Sequence, residues 1–253
     1  MADPTLPGDP AGPALLYGPP GGGPGQPAAA PPAAESPAGA APAALECRWL
    51  GRLGYAEGHA LMQRVLVQRL EDRVPDQLLL LEHDEIVTLG RRTGSGPWES
   101  LAVPTLEVER GGEATWHGPG QLVGYPILAL PPQRRDLHRY LRDLEQVLID
   151  ALAELGLPAE RRPGLTGVWV GARKLCSIGV AVRRWVTWHG FSLNVCNDLS
   201  RLEGFASCGL APGSMGRVSD RVPVPADDAL LARSVARHFA RWHASWSAAR
   251  RCP

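Results

Sequence analysis

The stretch from Val168 to Val195 constrains the fold most. It reads as three successive strands, Val168–Val170, Lys174–Arg183 and Val186–Val195, separated only by Gly171–Arg173 and Arg184–Trp185. Links that short join neighbours running in opposite directions, because a parallel pair needs a crossover of a dozen or more residues. An antiparallel meander is therefore expected. Upstream, Tyr55 to Arg73 reads as a helix, with Leu61, Val65 and Leu66 at helical spacing. Gln77–Glu82 and Ile86–Leu89 are apolar runs of strand length, and Thr105–Arg110 and Leu122–Leu128 flank a glycine-rich stretch. Asp136 is placed to cap a helix to Leu155, with Leu137, Tyr140, Leu141, Leu144, Leu148, Ala151 and Leu155 on one stripe and Gly156 as its stop. A last helix spans Ala226 to Trp246. Helices and strands do not alternate regularly, so the class is α+β, with a mostly antiparallel mixed sheet flanked by helices.

Residues 1–44 hold 12 of the 25 prolines, 13 alanines and 8 glycines, with only Asp3, Asp9 and Glu35 charged. Such a segment buries too little apolar surface to offset its ordering entropy and reads as a disordered tail. The folded domain is placed at 45–247, and 248–253 form a short C-terminal tail. Net charge is zero, which removes the electrostatic case for nucleic acid or an anionic membrane. No apolar run is long enough to span a bilayer, and no secretory or mitochondrial leader is evident. Five cysteines with no C-x-x-C pair suit reduced thiols, so a cytoplasmic location is expected.

One residue stands out by count. Of 26 basic residues, only Lys174 is lysine. In a chain that uses arginine wherever a plain positive charge serves, the one lysine either sits where a proton must be exchanged, which arginine cannot do, or is a chance survivor of the compositional drift. Lys174 opens the strand KLCSIGVAV, in which residues 174, 176, 178, 180 and 182 share one face and are otherwise apolar. There its cation can stabilise a thiolate. The alternative is a lysine whose stem covers the core while its amine reaches water. Two cysteines compete as nucleophile. Cys176 lies on the face of Lys174 inside an apolar run, the usual setting of an inert thiol. Cys208 lies in the irregular stretch SCG, where following backbone N–H groups can hold an oxyanion. The histidines His59, His83, His117, His138, His189, His238 and His243 show no metal-ligand spacing, and no metal is expected.

The segment Arg110–Tyr125, RGGEATWHGPGQLVGY, brings Arg, Thr, His and Gln together among five glycines, a pattern suited to a loop whose backbone approaches a ligand. It resembles the fingerprint R-G-G-x-x-T-aromatic-H-x-x-G-Q-x-x-x-Y of the lipoyl(octanoyl) transferase family, in Arg110, Gly111, Gly112, Thr115, Trp116, His117, Gly120, Gln121 and Tyr125. TGVWV from Thr166, KLCSIGV from Lys174, HGFSLNV from His189 and CGL from Cys208 extend the resemblance over roughly residues 48–220.

The resemblance implies the fold of biotin and lipoate protein ligase catalytic domains. It also implies transfer of an octanoyl group from octanoyl-acyl carrier protein to a lysine of lipoyl domains, those of 2-oxoacid dehydrogenases and the glycine cleavage H protein, with no cofactor. Cys208 is implied as the acyl-thioester nucleophile and Lys174 as the group that lowers its pKa. The acyl pocket is implied at Arg110, Gly111, Gly112, Glu113, Ala114, Thr115, Trp116 and His117, with Ser177, Ile178 and Gly179, and with Gly190, Phe191 and Ser192. Two positions depart from the family pattern. Ser207 stands where a proline usually precedes the nucleophile, and EHDEIVTLG after Leu81 lacks a proline common near His83. Three other activities are compatible with the same residues: an ATP-dependent lipoate or biotin ligase, a cysteine hydrolase, and a non-catalytic binding protein of the lipoyl pathway.

Overall fold

A computed structural model describes residues 16–17, 45–96, 98, 101–203, 213–223 and 229–248. In chain order the elements are β1 (Leu16–Tyr17), β2 (Glu46–Leu53), α1 (Tyr55–Leu70), β3 (Gln77–His83), β4 (Ile86–Leu89), β5 (Thr105–Glu107), β6 (Thr115–His117), β7 (Gln121–Ile127), α2 (Leu137–Ala153), β8 (Glu160–Arg162), β9 (Leu165–Val170), β10 (Arg173–Arg183), β11 (Val186–Asn194), α3 (Ser200–Glu203) and α4 (Ala229–Ala248). Eight strands form one sheet in the order β1-β2-β3-β7-β11-β10-β9-β8, and β5-β4-β6 form a second, smaller sheet. The pairs β1–β2 and β2–β3 are parallel and the other large-sheet pairs are antiparallel, which is the mixed sheet expected.

Strand β3 explains how the layers stack. Its run QLLLLEH is buried throughout. Leu78 and Leu80 pack into a core with α2 and α4, through Leu144, Leu148, Val235 and Phe239. Leu79 and Leu81 pack into a core with α1, through Met62, Val65 and Leu66. A strand covered on both faces has no polar side, which is why the run does not alternate. At about 25 cal/mol per Å2 of apolar surface, each such leucine contributes roughly 2 kcal/mol. Helix α2 starts as anticipated, with Asp136 Oδ1 accepting from the Arg139 N–H at 3.1 Å.

The meander from β9 to β11 is present. Arg184 and Trp185 both take positive φ, 49° and 64°, between the paired Arg183 and Val186. Two left-handed residues make the two-residue turn whose twist matches its strands. Four strands went unseen in the sequence, among them Leu16–Tyr17, which lies in the segment read as a tail. Glu46–Leu53 was passed over, Glu160–Arg162 is only three residues long, and Thr115–His117 lies in the stretch read as loop. The alternation expected along β10 is also broken. The pairing of β10 with β9 shifts between Lys174 and Cys176, and Leu175 and Cys176 both enter the core. Lys174 is thus set apart from Cys176 by a bulge instead of sharing one regular face with it. Among the described residues, no helix is long and apolar enough to cross a membrane.

Candidate active site

A cleft opens where three strands of the large sheet lie side by side. On β10 and β11, Ser177, Ile178 and Gly179 pair with Ser192, Phe191 and Gly190. On β7, Gly124 and Val123 pair with Phe191 and Ser192. The loop 109–113, between β5 and β6, closes one side, and Tyr55 at the start of α1 closes another. The empty space, open mouth included, is about 450 Å3. Its wall is mixed, with Val123, Ile178 and Phe191 beside Tyr55, Thr115, His117, Tyr125, Ser177, His189 and Ser192.

Arg110 builds the loop. The side chain is 7% exposed. Nη1 donates to the Glu113 carbonyl at 2.7 Å, and Nη2 donates to the Thr88 carbonyl at 2.9 Å and to Thr88 Oγ1 at 2.8 Å. One guanidinium fork therefore fixes the loop to β4. The Gly111 N–H donates to the Val180 carbonyl at 2.9 Å, which lays the loop on β10. That approach is close enough that a Cβ at Gly179 would stand 2.8 Å from the Gly111 oxygen, so only glycine fits there.

Two histidines beneath the cleft are neutral. His83 Nδ1–H donates to the Leu53 carbonyl at 3.1 Å, which leaves Nε2 to accept from the Tyr125 hydroxyl at 2.7 Å. His117 Nδ1–H donates to Gln121 Oε1 at 2.8 Å, since Gln121 Nε2 already donates to Asn194 Oδ1. Burial pushes the His83 pKa down to about 4. Burial, with the nearby Arg110 guanidinium, pushes His117 down to about 3. Neither ring carries charge at neutral pH, which suits the end of a slot for an apolar chain.

Lys174 is 5% exposed. Its Nζ lies 5.8 Å from the centre of the Trp169 ring, within cation–π range. Among the described residues no carboxylate pairs with it. Its backbone is held from both sides by the chain beyond residue 212. The Lys174 N–H donates to the Ser214 carbonyl at 2.8 Å, and its carbonyl accepts from the Gly216 N–H at 3.0 Å. Gly167, with φ of 137°, lies against the lysine stem, and a Cβ there would stand 2.5 Å from Lys174 Cε. Buried Glu145 holds that glycine by accepting from its N–H at 2.9 Å, and is itself paired with Arg142 and Arg161.

Of the two rival cysteines, Cys176 is fully buried in the core. Burial pushes its thiol pKa far up, outweighing the lowering by the Lys174 charge. A thiol held protonated is a poor nucleophile. Cys208 lies outside the described residues.

The pocket residues implied by the resemblance reach the cleft with two exceptions. Ala114 and Trp116 do not line it. They pack with Val87 into a separate core, because β6 alternates and sends them to the face opposite Thr115 and His117. Tyr55, Val123, Tyr125 and His189 line the cleft and were not among the expected pocket residues. Tyr125 and His189 sat inside the recognised stretches. Tyr55 stacks on His59 at 5.8 Å, and their spacing of four residues on α1 was the available signal.

The family described as the lipoyl protein ligase A/B catalytic domain matches residues 54–240. The octanoyltransferase of Geobacter sulfurreducens is 54% identical over 161 residues, 64% of this chain and 68% of its own. That of Solibacter usitatus is 43% identical over 201 residues, 77% of this chain and 90% of its own. Among solved structures, a bi-partite lipoate protein ligase from Thermoplasma acidophilum superposes with a TM-score of 0.62 at 18% identity, covering 80% of this chain and 84% of that one. Lipoate-protein ligase A bound with ATP gives 0.60 at 17% identity, covering 79% and 85%. Likeness at that identity speaks for the fold.

Proposed function

The chain belongs to the lipoyl protein ligase A/B catalytic-domain family and, within it, to the octanoyltransferases; from that premise we propose that Cys208 carries the octanoyl group as a thioester and that Lys174 moves the protons. The protein is an acyltransferase of protein lipoylation, using an acyl donor and a lipoyl-domain acceptor. In our reading the donor is the phosphopantetheine thioester of octanoyl-acyl carrier protein. The acceptors are lipoyl domains of 2-oxoacid dehydrogenases and the glycine cleavage H protein. The setting is a reducing cytoplasm, which the free thiols Cys47 and Cys176 support.

One observation carries the assignment of roles. The only lysine of the chain is buried on the strand that lines the cleft, and its backbone is tied to Ser214, six residues beyond Cys208. The protonated, core-bound Cys176 leaves the nucleophile to another thiol, and the CGL motif supports Cys208.

The proposed reaction has two steps. The Cys208 thiolate, paired with the Lys174 ammonium, attacks the donor carbonyl. A new S–C bond forms, the phosphopantetheine sulfur leaves, and Lys174 gives it a proton. Thioester exchange is nearly isoenergetic, so no nucleotide is consumed. The neutral acceptor amine then attacks the acyl-enzyme, the amide forms, and the Cys208 thiolate departs. Lys174 takes the proton of the attacking amine and is restored. The octanoyl chain lies along Val123, Ile178 and Phe191, with its far end toward the neutral His83–Tyr125 pair.

Intact-mass analysis of the enzyme mixed with octanoyl-acyl carrier protein tests this. One octanoyl adduct is expected in the wild type and none in Cys208→Ala. An adduct that persists in that variant, or maps to Cys176, contradicts it.

A further inference from the structure

His59 on α1, Glu109 in the loop after β5 and His189 on β11 point their ligating atoms at one another. They come from three separate elements, so no spacing in the sequence shows them. His59 Nε2 stands 3.2 Å from Glu109 Oε2, and His189 Nε2 stands 3.4 Å from the same oxygen. All three atoms fall within 4.8 Å of one another. Two ligand atoms about 2.05 Å from a tetrahedral zinc ion stand about 3.3 Å apart, whereas ligands at right angles around an octahedral ion stand about 2.9 Å apart. The two His–Glu separations lie near the tetrahedral value, and the His59–His189 separation is within 4.8 Å.

A second observation separates this cluster from a plain ion pair. The His189 side chain is 2% exposed, and its Nε2 is buried with no well-aligned hydrogen bond, Glu109 Oε2 standing 3.4 Å away at the edge of bonding distance. A buried polar atom left without a bond costs about 1–3 kcal/mol, so such an atom calls for a partner. The ring is also held in place. His189 has φ of 55°, a left-handed conformation that a non-glycine residue takes only when its surroundings impose it. Its N–H donates to Met62 Sδ at 3.2 Å, and its ring lies against Trp188 at 4.6 Å. Entry is open from the other side, where the Glu109 side chain is 39% exposed.

We propose that His59, Glu109 and His189 form a binding site for a divalent zinc-like ion, with the fourth position left to water. Two imidazoles and one carboxylate are a known three-ligand set for such ions. The ion would join α1, the loop that carries Arg110 and strand β11 at the rim of the acyl cleft. Occupancy would then fix the loop against the sheet and shape the cleft next to His189.

The test uses the full chain after treatment with a chelator, titrated with Co2+ and followed by visible absorption, then back-titrated with Zn2+. The expected result is one saturable Co2+ per chain, with the intense visible bands of four-coordinate cobalt and no sulfur charge-transfer band, displaced by Zn2+. Glu109→Gln keeps the shape of a half-exposed side chain and should fold, as circular dichroism would verify. It is expected to weaken Zn2+ binding by at least about 100-fold, more than loss of an outer-shell partner costs, and His59→Ala should do the same. Absence of saturable binding in the wild type overturns the site. So does binding that survives both substitutions, or binding that instead disappears with Cys196→Ser or Cys208→Ser. The readout is metal occupancy, so failure of this site leaves the acyl-transfer reading standing, and failure of that reading leaves this one standing.

Discussion

At the scale of single residues, Lys174 joins sequence and structure most closely. It was conspicuous as the only lysine, and it lies buried against Trp169 and Gly167. Lys174→Arg keeps the charge and loses the proton exchange. It should form some acyl-enzyme yet deliver the acyl group at least about 100-fold more slowly, the size of a positioned general base. Rapid-quench measurement of the two half-reactions checks the split, and wild-type delivery would refute the shuttle. Gly167→Ala places a methyl group against the lysine stem at φ of 137°. We expect it to cost about 1–3 kcal/mol in urea unfolding, together with a larger loss of turnover than that destabilisation explains. What the sequence could not show at this scale was the bulge between Lys174 and Cys176. Bulges follow from pairing with a distant strand, and the strand pattern alone predicted unbroken alternation.

At the scale of elements, the small sheet β5-β4-β6 carries the loop that closes one side of the cleft. Its role was invisible beforehand because β6 lies in the glycine-rich stretch, whose turn residues hide a three-residue strand. Ala114 and Trp116 were misplaced for the same reason, since the inward and outward sides of an unrecognised strand cannot be told apart. Thr88 on β4 ties this sheet to the Arg110 fork. Thr88→Val preserves the strand and removes the hydroxyl. We expect about 1–2 kcal/mol of destabilisation and a raised KM for the acyl donor with a smaller change in kcat. An unchanged KM would mean that the loop needs no such tie. Helix α2 and the meander, by contrast, were legible. Periodicity and the Asp136 cap located α2, and two-residue links located β9 to β11, because these signals are local in the chain.

At the scale of the whole molecule, two cores sandwich the large sheet, and neutral, buried histidines stand at the end of β3 and on β6 of the small sheet. His83 and His117 have folded pKa values of about 4 and about 3, below the ordinary 6.5 of the unfolded chain. Between 6.5 and those values the unfolded chain binds protons that the folded one refuses, so acid favours unfolding. Stability should be intact above about pH 6.5 and should fall as pH drops toward 4, by at most about 3 kcal/mol per ring. Urea titrations from pH 7.5 to 4.5 would show the slope, and His83→Gln should flatten it. An equal slope in that variant would place the pH dependence elsewhere. Residues 204–212, which include Cys208, lie outside the described residues, so the central claim rests on chemistry. The most direct measurement isolates the octanoyl-enzyme, removes the donor, and mixes it with a lipoyl domain. The account predicts that the Cys208-linked octanoyl group moves to the acceptor lysine at least as fast as steady-state turnover. An acyl-enzyme that forms on Cys208 but delivers nothing, or delivers far more slowly than the enzyme turns over, would contradict it.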